Sequence, residues 1–208
     1  MKTFFIRLKG LVAGTALAMV LISGALVLQI LVPQIMVAQE GFSPVSKEFA
    51  SGGQIKMNLE GGGYEVRPSN NNQIRIFWNQ ASGRDVKVKL NITGTVANLE
   101  VQNTPNNFQA TIEVPASADL HIRLTAGALG VGRIKGNKHI ESNAGDVNIA
   151  VGEANDWGHV DASVRAGNLD APVFKVAKGG LFRSFSWSGP GKYKLDVHLL
   201  AGNLSLHK

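Results

Sequence analysis

The sequence predicts an all-β domain, a glycine-punctuated repeat sheet of β-solenoid-like type, preceded by one hydrophobic N-terminal export or anchor helix. Three observations carry this. Apolar residues alternate strictly with polar ones beyond about residue 54, an Ala-Gly step recurs with apolar residues at fixed offsets, and a long uncharged run lies near the start.

The first element is that run. Lys2, Arg7 and Lys9 precede it, and nothing charged appears from Gly10 to Gln39. A helix rises about 1.5 Å per residue, so roughly 20 apolar residues cross the hydrocarbon of a bilayer, and Leu11 to Val32 is long enough. Two readings stay open over 1–39. A cleaved signal peptide has a basic start, an apolar middle and small residues before the cut, and Ala38 would be the last residue removed. An uncleaved anchor accounts better for the length of the run and for bulky Met36. The three cations keep the amino terminus in the cytoplasm, so both readings put the rest of the chain outside it: periplasmic, secreted or membrane-anchored.

A linker is expected over 40–53, with Pro44 and several Ser and Gly residues, and the β-repeat domain over 54–208. Within that domain Ile55, Met57 and Leu59 alternate with polar residues. So do Val86, Val88, Leu90 and Ile92, then Phe108, Ala110, Ile112 and Val114, then Leu120, Ile122 and Leu124, and finally Tyr193, Leu195, Val197 and Leu199. Alternation of this kind marks strands with one buried face.

The repeats LTAGALGV, SNAGDVNI, VRAGNLDA and LLAGNLSL centre on Gly127, Gly145, Gly167 and Gly202, and a fifth copy centres on Gly62. Apolar residues sit two and four places after each glycine, and five places before it. In the Gly62 copy Leu59 lies three before and Tyr64 two after. That odd offset of five would turn the apolar face outward on a continuous strand. One extra residue must therefore be absorbed at the Ala-Gly step, as a bulge or corner that glycine permits. Spacings of 18 and then 22 residues suit stacked coils or successive hairpins. The segment KGGLFRSFSWSGPGKYK reads as a protruding loop before the last copy.

Composition excludes several function classes. Removing Lys2, Arg7 and Lys9 from the 21 basic residues leaves 18 against 15 acidic ones, with no basic stripe for nucleic acid. The chain has no cysteine, hence no disulfide, thiolate–zinc site or thiol nucleophile. No phosphate loop, Gly-x-Ser-x-Gly elbow or His-Glu-x-x-His helix occurs. The reading is of a protein that is not an enzyme and takes no cofactor.

The steps Gly145-Asp146-Val147, Gly167-Asn168-Leu169 and Gly202-Asn203-Leu204, with the closing GKYKLDVHLLAGNLSLHK, resemble the bacterial family of unknown function labelled putative adhesins. The resemblance spans roughly residues 52–208. It implies an export or anchor segment joined to a β-solenoid-like domain, and it carries over no catalytic residue.

Two candidate sites remain. His121 and His139 lie six residues before their glycines, facing outward, and Asp161 and Asp196 share that offset. In adjacent coils His121, His139 and Asp161 would form a surface row with the composition of a two-His, one-carboxylate metal site, or a plain solvated ladder. The neighbouring row would set Arg123 beside Glu141. The aromatics Phe182, Phe185, Trp187 and Tyr193 would contact a ligand or partner, or else fold back to plug an open end of the stack. The function expected is a non-enzymatic cell-envelope module for binding, adhesion or scaffolding of an envelope protein or glycan. Alternatives are a membrane-anchored sensory partner domain and a polysaccharide-acting enzyme.

Overall fold

The computed structural model describes residues 45–79 and 86–208. The expected export or anchor segment, 1–39, lies outside the described residues. Among the described residues no helix is long and apolar enough to cross a membrane. The fold is all-β. Its strands are β1 (Val45–Glu48), β2 (Gln54–Leu59), β3 (Gly62–Ser69), β4 (Gln73–Trp78), β5 (Lys87–Thr93), β6 (Val96–Gln102) and β7 (Gln109–Pro115). The chain continues through β8 (Asp119–Val131), β9 (Lys138–Ala150), β10 (Trp157–Ala171), β11 (Val176–Ser188), β12 (Tyr193–Ala201) and β13 (Leu204–His207).

These strands assemble as rungs with two arms. β8, β9 and β10 each run through both arms and bend at a glycine, whereas β2 with β3, and β12 with β13, supply the two arms of a rung as separate strands. The first arms pair in parallel, β2 to β8, β8 to β9, β9 to β12 and β12 to β10. The second arms do the same, with β3 on β8 and with β13 between β9 and β10. The circuit β9–β12–β10–β13 closes in the pairing because β12 and β13 occupy different halves of one rung. β6 and β7 extend the two arms beyond β2 and β3. Antiparallel strands finish the stack: β5 on β6, β4 on β7 with β1 beyond it, and β11 on β10 at the far end.

Period two explains what each arm buries. In β8, Leu120, Ile122 and Leu124 point inward before the bend, and Leu129 and Val131 after it. The same positions stack from rung to rung, as in the rows Met57–Ile122–Ile140–Val197–Ala162 and Tyr64–Leu129–Val147–Leu204–Leu169. All ten of these side chains belong to one hydrophobic core, and each large aliphatic one contributes about 1.5–3 kcal/mol by leaving water.

The glycine bend is where the offset arithmetic is resolved. Gly62, Gly127, Gly145, Gly202 and Gly167 have φ of +141°, +123°, +117°, +135° and +137°, a region that side chains resist. They also stack. A Cβ on Gly127 would collide with the Gly62 carbonyl oxygen, one on Gly145 with that of Gly127, one on Gly202 with that of Gly145, and one on Gly167 with that of Gly202. The bend is therefore a continuous ladder of side-chain-free corners, and it returns both arms to one core.

Three features differ from the sequence expectation. The stack does not follow chain order: the Gly202 rung enters between those of Gly145 and Gly167, so the final strands lie inside the assembly. Chain spacing cannot reveal this, since parallel strands accept any neighbour whose offsets match. The segment expected to protrude is instead β11, paired with β10 from His159↔Ser188 to Ala171↔Val176. Its Ser, Gly and basic residues suit an edge strand that is exposed along most of its length. Finally, β1 lies within the expected linker and pairs with β4.

Candidate functional site

The outward side of the first arm carries the polar side chains that period two leaves facing solvent. Two rows run across the rungs. One is Lys56–His121–His139–Asp196–Asp161, and beside it lies Asn58–Arg123–Glu141–His198–Ser163.

His121 and His139 stack as expected, with ring centroids 4.6 Å apart in an edge-on arrangement. The expected neighbour of His139, Asp161, is displaced one rung, because β12 sets Asp196 between them. Asp196 becomes the hub. Its Oδ2 lies 2.8 Å from His139 Nδ1 and its Oδ1 lies 2.7 Å from His198 Nε2. His139 Nε2 is 3.2 Å from Glu141 Oε1, and Arg123 Nε is 2.9 Å from Glu141 Oε2, the pair anticipated from the offsets. Ser163 Oγ lies 2.7 Å from His198 Nδ1. His198 and Ser163 sit four residues before their glycines, as Arg123 and Glu141 do, so the same offset rule could have found them. The sequence did not indicate that β12 would bring their rungs together.

The electrostatics follow from this crowding. Desolvation, then the neighbouring His139 and Arg123, hold His121 below the usual imidazole range, against an opposing pull from Glu141. Glu141 is held below the usual carboxylate range, chiefly by its hydrogen bond with His139 and then by Arg123. The arrangement offers imidazole and carboxylate donors side by side on an open sheet.

The aromatic candidates divide. Phe185 is buried and stands 5.7 Å from Phe174, Trp187 stands 5.2 Å from Phe174, and both pack on the core. Tyr193 lies edge-on to Trp157 at 6.3 Å. Phe182 alone of the four projects into solvent, 75% exposed, with φ of +54°. An open groove of about 840 Å³ crosses the outward side of the second arm. Its floor is of small residues such as Gly63, Ala128 and Gly130, with Phe77 and Trp78 along it.

Lys138 is the residue the sequence reading missed. It occupies an inward position, in register with Leu120 and Leu195, and is 2% exposed. Its ammonium donates to the carbonyls of Ile134 and Gly136 at 2.6 and 3.2 Å and lies 4.8 Å from the Trp157 ring centroid. Burial pushes its pKa down to about 8, against a smaller opposing pull from Asp119.

Neither a family model nor a curated protein matches the chain. Solved structures do resemble it. A putative cell adhesion protein from Clostridium sporogenes is 15% identical, with a TM-score of 0.47, over 80% of this chain and 99% of that one. A putative adhesin from Parabacteroides merdae is 9% identical, with a TM-score of 0.24, over 81% and 78%. Another from Parabacteroides distasonis is 10% identical, with a TM-score of 0.23, over 53% and 52%. The first is described as a putative cell adhesion protein and the other two as putative adhesins. Likeness of this degree says nothing of ligand or activity.

Proposed function

We propose that the chain is a non-enzymatic module of the cell envelope, working outside the cytoplasm, that binds or scaffolds another surface component, an envelope protein or a glycan. The observation that carries this reading is the outward side of the first arm, where five parallel rungs present two in-register rows of polar side chains on an open sheet. A rigid, repetitive face of this kind meets a partner over many small contacts, as repeat proteins do. We read the architecture as β-solenoid-like, each rung being an arm, a glycine corner and a second arm, with one rung out of chain order. We read residues 1–39, with their basic start and uncharged run, as a signal peptide or membrane anchor.

The test is chemical crosslinking in cells of the full-length protein with a C-terminal tag, followed by mass spectrometry of what co-purifies. A specific envelope protein is the expected result. Self-crosslinks alone would overturn a protein partner and leave self-assembly or a glycan.

A further inference from the structure

We propose that Asp161, Asp196 and His198 form a binding site for a divalent transition-metal ion of the zinc class, on the outward face where β12 lies against β10. The inference stands apart from the envelope reading, because metal binding by purified protein requires no partner.

Three observations converge on it. One ligand atom from each residue lies within 4.8 Å of the other two, and Asp196 Oδ1 is already 2.7 Å from His198 Nε2. Zinc bonds to nitrogen and oxygen are about 2.0–2.2 Å long, so donors around one ion stand roughly 3–3.6 Å apart. Small side-chain rotations bring the three donors to that spacing. The rest of the coordination is left to water.

The second observation is charge. Asp196 and Asp161 face each other in the β12–β10 register, and like charges on facing residues destabilise a sheet. Among the described residues no lysine or arginine forms an ion pair with either carboxylate. A dication between them removes the repulsion and neutralises both.

The third is orientation. The Ser163 hydroxyl, 2.7 Å from His198 Nδ1, holds the ring with Nε2 directed at Asp196. His139 Nδ1, at 2.8 Å, holds the other oxygen of Asp196 and leaves Oδ1 toward the site. Metal-binding histidines and carboxylates are commonly fixed by such outer hydrogen bonds. Imidazole with carboxylates favours zinc, nickel or copper over magnesium or calcium. The site therefore takes its aspartates from two rungs and its histidine from the neighbouring row, rather than the His121, His139 and Asp161 of a single row.

The experiment is a titration of zinc(II) chloride into the detergent-purified full-length protein, followed by calorimetry, with any affinity tag removed. The expected result is one saturable site that weakens at least tenfold in Asp196→Asn and in His198→Gln, and about tenfold in Ser163→Ala. His207→Gln, on the other arm, leaves it unchanged. Absence of saturable binding overturns the proposal, as does binding that survives both Asp196→Asn and His198→Gln or is equally lost in His207→Gln. Melting curves without zinc confirm that each variant is folded. Should one of the first pair fail to fold, Asp161→Asn replaces it with the same expected loss.

Discussion

A Cβ on Gly145 would run into the carbonyl oxygen of Gly127, and the backbone there holds φ at +117°. Neither obstacle yields locally, since the oxygen belongs to the next corner of the same ladder. Gly145→Val is therefore expected to cost about 3 kcal/mol or more, read as a fall in the urea midpoint. Gly61→Ala is the contrast, its nearest neighbour being Thr104 Oγ1 at 3.8 Å, and it should change the midpoint little. An unchanged midpoint in Gly145→Val would overturn the corner argument. Lys138 offers a second test at this scale. Its folded pKa of about 8 lies below the ordinary 10.5, so between those pH values the unfolded chain holds more protons. Stability should rise with pH across that window, by up to about 3 kcal/mol for this group. Below it the cost of the buried cation is fully present. Lys138→Met should lack this rise, so the stability difference between variant and wild type should change steadily from pH 8 to 10.5. A constant difference would show that burial does not perturb the ammonium.

At the scale of elements, β12 and β13 are the informative ones. They pair with β9 on one side and β10 on the other in both arms, and Leu195, Val197, Leu199, Leu204 and Leu206 are all buried. A chain stopped after Ser188 would leave β9 and β10 unpaired along facing edges and remove these five side chains from the core. It is expected to lose the cooperative unfolding transition, measured by circular dichroism on heating; a transition near that of the full chain would contradict the pairing. Much of this was legible beforehand. Alternation located the strands, and the position of apolar residues about Gly62, Gly127, Gly145, Gly167 and Gly202 gave the corner and the facing of each arm. Neighbour order was not legible, because the Gly145, Gly167 and Gly202 copies present equivalent edges to one another. That is also why the offsets place Asp161 beside His139, a position that Asp196 holds, and why β11 reads as a loop: its Lys178, Gly179, Gly180 and Arg183 lack the alternation that a strand pairing on one side does not need.

Across the described molecule, the two arms enclose one core while their outward sides differ in chemistry. The first arm is charged and imidazole-rich along Lys56, His121, His139, Asp196 and Asp161. The second is floored by small residues, with Phe77 and Trp78 along its groove. Specificity on such a surface resides in outward residues that can change without touching the core, whereas the inward rows and the glycine ladder cannot. The crosslinking and zinc experiments probe that division, since outward substitutions should alter binding while leaving melting nearly unchanged.

The position of β12 also has a bearing on timing. Lys138 meets Leu195, which lies 57 positions further along the sequence, so the centre of the stack joins pieces far apart in the chain. Contacts of such separation form late, after a large loss of chain entropy. A nascent chain that has delivered β8 and β9 still lacks the strand that belongs beside β9, and β10 arrives with no settled neighbour. The polypeptide thus stays unfinished until nearly all of it has been made. Under the export proposed above, that order of assembly would leave the chain open while it is threaded through a membrane.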